Sequence, residues 1–192
     1  MTLTIHPVTP ELWPKLEALF GPQGACYGCW CTYFRLAPKQ RETLSHDDKK
    51  QILRQATQAP LPPGLIALDD GEPVGWVQVT PRADVPRWNT DRTVSRPLDG
   101  DDPADPGLWA ISCFFIQAKR RGQGISHVLL DAAVAHARDN GARVVEACPM
   151  LKAKQSKSVG LFVGSVSVFE KAGFTTVIER KPGRPLMRRL LE

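Results

Sequence analysis

A basic turn with two glycines, set between an apolar run and an amphipathic stretch, constrains the fold of this chain most. Residues 108–116 are almost all apolar, which predicts a central strand buried on both faces. Lys119, Arg120 and Arg121 follow, and then helical spacing of apolar residues begins. Glycines let a backbone approach an anion closely, and the unpaired N–H groups of a helix start favour phosphate. Residues 116–130 therefore predict a phosphate or pyrophosphate cradle.

The composition is that of a folded globular protein. The chain has 192 residues, of which 42% are hydrophobic and 23% charged, so we predict a single domain over residues 1–192. The apolar runs are far shorter than a membrane span, and no basic region followed by an apolar stretch opens the chain. We therefore expect no membrane association and a cytoplasmic location.

The net charge of +5 suits an anionic ligand and makes nucleic acid a rival partner. The basic residues are scattered, however, and they group only at 119–121 and in the tail at Arg184, Arg188 and Arg189. No basic strand interleaved with aromatic residues is present. We therefore expect no nucleic acid partner.

Hydrophobic periodicity and turn residues predict the element order β-α-α-β-β-β-α-β-α-β-β. This order indicates a mixed α/β sheet with helices packed on its faces. Residues 81–106 form a long insertion that either carries function or is disordered, and the Lys/Ser-rich residues 152–158 predict a mobile loop. The predicted strands are 2–8, 65–68, 74–79, 108–116, 143–147, 175–179 and 186–190, and the predicted helices are 10–20, 47–57, 125–140 and 165–172.

Two segments resemble the markers of the GNAT family of N-acetyltransferases. Arg121-Gly122-Gln123-Gly124-Ile125-Ser126 is similar to the acyl-CoA signature of that family, written Q/R-x-x-G-x-G/A. Phe169-Glu170-Lys171-Ala172-Gly173-Phe174 is similar to its second marker, Y-E-K-x-G-F. The element order agrees along essentially the whole chain. The resemblance implies an α/β (α+β) fold with a mostly antiparallel sheet, splayed between its fourth and fifth strands, and helices on both faces.

The resemblance also implies acetyl-CoA as cosubstrate, with its pantetheine arm between strands 108–116 and 143–147. Backbone N–H groups of the turn would receive the pyrophosphate, and Ile116 would pair with pantetheine. For His127, in the first turn of the helix, phosphate contact and simple exposure are both open. The implied cofactor-binding residues are Phe115, Ile116, Arg121, Gly122, Gln123, Gly124, Ile125, Ser126 and His127.

Phe169 stands where the family often has a tyrosine, to which protonation of the departing CoA thiolate is commonly assigned. A phenyl ring donates no proton, so water or another donor is needed, with Ser165 and Cys113 as candidates. Cys113 is otherwise an inert small hydrophobe or, alternatively, an acetyl-carrying nucleophile. Strand 108–116 contains no carboxylate, and Glu146 on the next strand is the nearest candidate base or a structural carboxylate.

Acidic residues of the insertion offer a further hypothesis, since a carboxylate cluster could attract a cationic substrate. A solvated acidic loop is the alternative interpretation. The residues concerned are Asp84, Asp101, Asp102 and Asp105.

The segment Cys26-Tyr27-Gly28-Cys29-Trp30-Cys31 is the most unusual part of the sequence. Its three thiols could bind zinc with a fourth ligand such as His46, but no second C-x-x-C pair exists. Similar G-C-W-C segments in a bacterial subgroup of the family imply a structural or substrate-side loop. We therefore expect no metal, and a redox role is the remaining alternative. The predicted substrate-side residues are Cys29, Trp30, Cys31 and Tyr33. For the aromatic residues Trp30, Tyr33 and Phe34, a place in the pocket and a place in the core are both open.

The predicted function is acetyl-CoA-dependent N-acyl transfer, by direct attack of a primary amine on the thioester. The amine belongs to a small molecule or a peptide, and the sequence leaves open whether the chain forms a homodimer. One alternative is a non-catalytic protein that binds or senses acyl-CoA. Another is a metal- or redox-responsive regulator that uses Cys26, Cys29 and Cys31.

Overall fold

The computed structural model describes residues 2–151 and 161–191. Within them, seven strands form one sheet in the order β1-β2-β3-β4-β5-β7-β6. β4 and β5 pair in parallel, and the other neighbours pair antiparallel, which confirms the predicted mixed sheet. The Lys/Ser-rich residues 152–158, for which a loop was predicted, lie outside the described residues. The strands are β1 Leu3–Pro7, β2 Gly64–Asp69, β3 Glu72–Pro81, β4 Leu108–Ile116, β5 Val144–Ala147, β6 Thr175–Glu179 and β7 Pro185–Leu190.

Five α-helices accompany the sheet in the described chain. The predicted first helix is split, because Pro14 has no N–H for the carbonyl of Pro10, which accepts from Trp13 instead. α2 was missed, since six residues are too few to show a helical period. The helices are α1 Trp13–Phe20, α2 Pro38–Thr43, α3 His46–Ala56, α4 Ile125–Asp139 and α5 Val166–Lys171, with 3-10 helices at Pro10–Leu12, Arg82–Asp84, Pro86–Asn89, Ala118–Arg120 and Leu161–Val163.

Turn and cap residues account for where several elements begin and end. Asp70 (φ 49°) and Gly71 (φ 85°) both have the positive φ of the tight turn that joins β2 to β3. The Oγ of Ser45 accepts from the N–H of Asp48 at 3.1 Å, and the Asp48 carboxylate accepts from the Ser45 N–H at 2.9 Å, which starts α3. Gly141 (φ 87°) follows the end of α4 as predicted.

Helices cover both faces of the sheet, as the resemblance implied. α4 and α5 bury their apolar residues against one face, around Val77, Val79 and Ile111. α1 and α3 cover the opposite face, around Trp76 and Ile66. A third apolar cluster joins the insertion to the loop after α1 and consists of Phe34, Val85, Trp88, Ala110, Cys148, Val163 and Leu186. No helix in the described ranges is long and apolar enough to cross a membrane.

β4 is much longer than its parallel neighbour β5, and this difference opens the sheet. The two strands pair only from Leu108 opposite Val144 to Ile111 opposite Ala147. Over residues 112–116, no strand of the described chain pairs with β4 on that side. The sheet is therefore splayed between its fourth and fifth strands, which confirms the predicted fold class.

Candidate functional site

A cleft of about 650 Å³ lies between the unpaired part of β4 and the start of α4. We call it the cradle cleft. It brings together eight of the nine residues predicted to bind the cofactor, and Ser165 joins them. Gln123, the ninth, donates from Nε2 to the carbonyl of Lys119 at 3.4 Å. The eight are Phe115, Ile116, Arg121, Gly122, Gly124, Ile125, Ser126 and His127.

The backbone at the start of α4 is left open for a ligand. Gly122 (φ 76°) and Gly124 (φ 79°) are left-handed, and a Cβ at either position would point into empty space. Gly124 is the N-cap, and it provides no side-chain oxygen for the N–H groups of the first turn. These N–H groups and the helix dipole favour an anion at this end of the cleft.

One edge of β4 also offers backbone groups to the cleft. The N–H of Gln117 donates to Val74 of β3 at 3.1 Å. Because successive residues of a strand direct their backbone groups to opposite sides, the carbonyl of Ile116 faces away from β3. Arg121 Nε donates to that carbonyl at 3.3 Å, and Arg120 pairs with Asp69. Positive charge and a strand edge therefore meet in one cleft.

Phe169, which takes the position of the family tyrosine, does not reach this cleft. It is completely buried and packs edge-on against Phe114 (6.0 Å between ring centroids) and Phe174 (5.1 Å). Its ring also lies over Gly164, where there is no Cβ to obstruct it. Phe169 is a core residue. Ser165, one residue before α5, lines the cleft, with its Oγ 3.3 Å from that of Ser167.

A smaller pocket of about 330 Å³ adjoins the cradle cleft. We call it the side pocket. Three of the four predicted substrate-side residues line it, namely Cys29, Cys31 and Tyr33. Cys113, Phe34, Arg41 and Lys49 line it as well. The two spaces share a wall made of Ala25, Cys26, Tyr27, Phe114, Phe115 and Phe162.

Trp30, the fourth predicted substrate-side residue, lies in the core instead. Its ring packs on Trp13 (6.0 Å between centroids) and Phe20 (5.6 Å), and 4% of its surface is exposed. Its left-handed backbone (φ 44°) and the absence of a Cβ at Gly24, against which the indole lies, accommodate this position. The prediction for Trp30 is therefore corrected.

Four of the five free cysteines, Cys26, Cys29, Cys31 and Cys113, line the side pocket. Cys31 Sγ lies 3.4 Å from Cys113 Sγ. Hydrogen bonding to Cys31, and then burial, raise the pKa of Cys29; hydrogen bonding to Cys113 is the largest cause that raises the pKa of Cys31. Burial raises the pKa of Cys26. These three side chains are therefore thiols, not thiolates, near neutral pH.

His46, the suggested fourth zinc ligand, does lie against the cysteine loop, with its ring over Gly28. Even so, within residues 2–151 and 161–191 no three His, Cys, Asp or Glu side chains are arranged to hold a metal ion.

Glu146 lies in a buried ion-pair network and not in either space. It has no solvent exposure; one carboxylate oxygen pairs with Arg82, and the other accepts from Arg188 Nε at 2.6 Å. Burial raises the pKa of Glu146, and the two arginines oppose that shift. The structural interpretation of Glu146 therefore replaces that of a candidate base.

The acidic residues of the insertion also lie outside these spaces. Asp101 pairs with Arg188, and Asp105 pairs with Arg143 at 2.8 Å. Asp84 and Asp102 are exposed to solvent. The described lining contains none of the four, so it gives no support to attraction of a cationic substrate.

The sequence did not predict that basic side chains surround the side pocket. Arg41 and Lys49 line it, and a third space of about 210 Å³ beyond Tyr33 and Phe34 is lined by Arg87, Arg92 and Arg184. These residues come from three separate segments of the chain, so no local motif could have indicated that they lie together.

Comparisons with known proteins agree with this geometry. The family model described as Acetyltransferase (GNAT) family matches residues 28–174. No curated protein matches the sequence.

Solved structures resemble the whole chain. Ribosomal-protein-alanine N-acetyltransferase from Brucella melitensis is 19% identical, with a TM-score of 0.57 and coverage of 98% of this chain and 99% of that one. The Salmonella typhimurium protein yncA, solved with its cofactor acetyl-CoA, is 14% identical (TM-score 0.57, coverage 100% and 95%). PaiA N-acetyltransferase from Thermoplasma acidophilum, in complex with coenzyme A, is 14% identical (TM-score 0.55, coverage 100% and 100%). At these identities, the likeness shows a common fold.

Proposed function

The chain belongs to the GNAT acetyltransferase family, and we propose that it transfers an acetyl group from acetyl-CoA to a primary amine of a small molecule or peptide. One observation carries this proposal: the unpaired edge of β4 and the start of α4, which has no side-chain cap, meet in one cleft. Two proteins of the same fold, from Thermoplasma acidophilum and Salmonella typhimurium, contain coenzyme A or acetyl-CoA.

The residues of the cradle cleft fit the chemistry of acetyl-CoA. In the proposal, N–H groups from Gly122 to Ser126 bind the pyrophosphate, since the two glycines leave the approach free of a Cβ. Arg121 adds positive charge, and the open side of Phe115–Ile116 accommodates the pantetheine arm. When bound, acetyl-CoA supplies the activated acyl group.

The side pocket is proposed to hold the acceptor, because it opens onto the cradle cleft through the wall that includes Phe114 and Phe115. An amine must be neutral to attack a thioester. Arg41 and Lys49 line the pocket, and nearby positive charge lowers the pKa of an ammonium group and favours its neutral form. Positioning and this electrostatic effect replace a dedicated carboxylate base in the proposal.

Two proton transfers complete the proposed reaction. The amine nitrogen forms a bond to the acyl carbon, the carbon–sulfur bond breaks, and the nitrogen releases one proton to water. The departing thiolate takes up one proton, from water or from the Ser165 hydroxyl, which lines the cleft. Attack is direct, and Cys113, hydrogen-bonded to Cys31, carries no acetyl group in this scheme.

The proposal includes a cytoplasmic location, which the five free cysteines support because free thiols are typical of a reducing compartment. A second candidate is a non-catalytic acyl-CoA-binding protein. The buried Phe169 favours it, because the usual proton donor is absent from its position.

Calorimetry with acetyl-CoA, followed by detection of thiol release with a panel of amines, tests the proposal. Binding together with amine-dependent release is the expected result. If acetyl-CoA does not bind, both the transferase and the sensor are excluded. If acetyl-CoA binds but the protein neither transfers the acetyl group nor slowly hydrolyses the thioester, the non-catalytic acyl-CoA-binding protein is favoured.

A further inference from the structure

We propose, building on the function above, that the acceptor amine carries a carboxylate beside an apolar, preferably aromatic, group, as in an aromatic amino acid. Three features of the acceptor side carry this inference. They are an apolar lining, a described lining that contains basic but no acidic side chains, and a guanidinium whose orientation is restricted by stacking.

The lining of the side pocket suits an apolar body. Phe34, Phe114, Phe115 and Phe162 contribute phenyl rings, and Tyr33 contributes a phenol. Aromatic faces of this kind bury an apolar ligand and favour a flat ring. A long, strongly hydrated polycation would lose hydration in this pocket and would find no carboxylate among the described lining residues to pair with.

The charges on the acceptor side are all of one sign. Arg41 and Lys49 line the side pocket, and Arg87, Arg92 and Arg184 line the space beyond it. Among the described residues that line these spaces or the cradle cleft, none is Asp or Glu. The described lining of these spaces therefore attracts an anion and repels a polycation.

Arg41 is the residue best placed to bind a carboxylate. Its guanidinium carbon lies 4.3 Å from the centroid of the Tyr33 ring, so stacking restricts its orientation. Arg41 lines the side pocket. A carboxylate bound there could accept charge-assisted hydrogen bonds from a guanidinium.

Tyr33 is also held by Arg87. The guanidinium carbon of Arg87 lies 4.0 Å from the ring centroid, and Arg87 Nη2 donates to the Tyr33 hydroxyl at 3.1 Å. The ring that orients Arg41 is therefore itself fixed before any ligand binds. A pre-organised guanidinium loses little conformational entropy on binding, which favours a carboxylate at this position.

A matched pair of acceptors tests the proposal. Phenylalanine and phenethylamine share a ring and a primary amine and differ in the carboxylate, and spermidine represents a polycation. We expect kcat/KM, measured by thiol release, to be at least about tenfold higher for phenylalanine than for phenethylamine, and spermidine to be inactive.

Variants locate the effect. Arg41→Gln should lower kcat/KM for phenylalanine about tenfold to a hundredfold more than it lowers kcat/KM for phenethylamine, and it should leave acetyl-CoA binding unchanged. Lys39→Gln removes the same charge from an exposed position on the same helix, α2, and should change none of these values.

The carboxylate inference and the proposed transferase activity can be disproved separately. Equal or better use of phenethylamine or spermidine would overturn the carboxylate inference and leave the transferase intact. Absence of acetyl-CoA binding would instead remove the proposed function. If acetyl-CoA binds but no amine is acetylated, the affinities of phenylalanine and phenethylamine for the CoA-loaded protein are compared by calorimetry. Tighter binding of phenylalanine would support the carboxylate inference, and equal or weaker binding would overturn it.

Discussion

Arg82 and Glu146 form an ion pair in which neither side chain has any solvent exposure. Arg82 also donates to Asn89 at 2.6 Å, and Glu146 also accepts from Arg188, which contacts Asp101. The network joins the insertion to β5 and β7. From the sequence, the insertion at residues 81–106 was expected either to carry function or to be disordered. The ion-pair network shows that it is anchored in the protein interior.

Breaking this pair should be costly. Arg82→Met leaves the Glu146 carboxylate buried without one of its partners, and we expect a loss of about 3–5 kcal/mol in the free energy of unfolding, measured by urea denaturation. Arg82→Met combined with Glu146→Gln should recover part of that loss. Arg138→Met, at an exposed position on α4, is the control and should have little effect. A single Arg82→Met variant as stable as the wild type would contradict the prediction.

The glycine at the start of α4 can be tested against the glycine at its end. Gly124 (φ 79°) and Gly141 (φ 87°) are both left-handed, and at both a Cβ meets no atom within 4 Å. Alanine should therefore cost each variant a similar amount of stability, about 1 kcal/mol. Only Gly124→Ala should weaken acetyl-CoA binding in calorimetry. Equal affinities in the two variants would argue against a pyrophosphate at Gly124.

Reversing a charge in the turn should have a larger effect on the same ligand. Arg121→Glu places a negative charge against the proposed pyrophosphate, and we expect it to abolish detectable acetyl-CoA binding. Arg138→Glu makes the same change in charge on the exposed surface at the far end of α4 and should bind normally. If Arg121→Glu bound acetyl-CoA with unchanged affinity, the turn at residues 121–126 would not be the pyrophosphate site.

The thiols of the cysteine loop should react slowly in the folded protein. The pKa values of Cys26, Cys29 and Cys31 are raised, so at any given pH the fraction of nucleophilic thiolate is smaller than in free cysteine. Alkylation by iodoacetamide, followed by mass spectrometry, should be slower than for the urea-unfolded chain from pH 7 to 9. A loop thiol that reacts at pH 8 as fast as free cysteine would contradict these shifts and favour a redox role.

His136 should make stability depend on pH. Burial lowers its pKa, so the unfolded chain binds a proton more readily than the folded one. Stability should therefore fall as the pH decreases through the ordinary range of histidine, near 6.5. His136→Gln should flatten this part of the curve of unfolding free energy against pH.

The sequence predicted the elements of the cradle cleft that are contiguous in the chain. The run that became β4, the two glycines and the helical spacing after them are contiguous, so their juxtaposition follows from chain order. The partners of Glu146 lie 64 and 42 residues away, at Arg82 and Arg188, and only tertiary packing brings them together. The basic residues around Tyr33 are equally scattered. The burial of Trp30 could not be predicted either, because an irregular loop with left-handed residues has no hydrophobic period from which a buried face can be inferred.

The short pairing between β4 and β5 has a consequence for motion. Along the sheet, four residue pairs join a ribbon made of β1 to β4 to a second ribbon made of β5, β7 and β6. A ligand in the cradle cleft would contact β4 on one side and Gly164, Ser165 and Val168, at and before α5, on the other. It would thereby link the first ribbon to the helix that precedes β6 and β7. Amide hydrogen exchange should then slow in β5 and β7 as well as in β4 when acetyl-CoA is present, so that occupancy of the cleft is registered in the last strands of the chain.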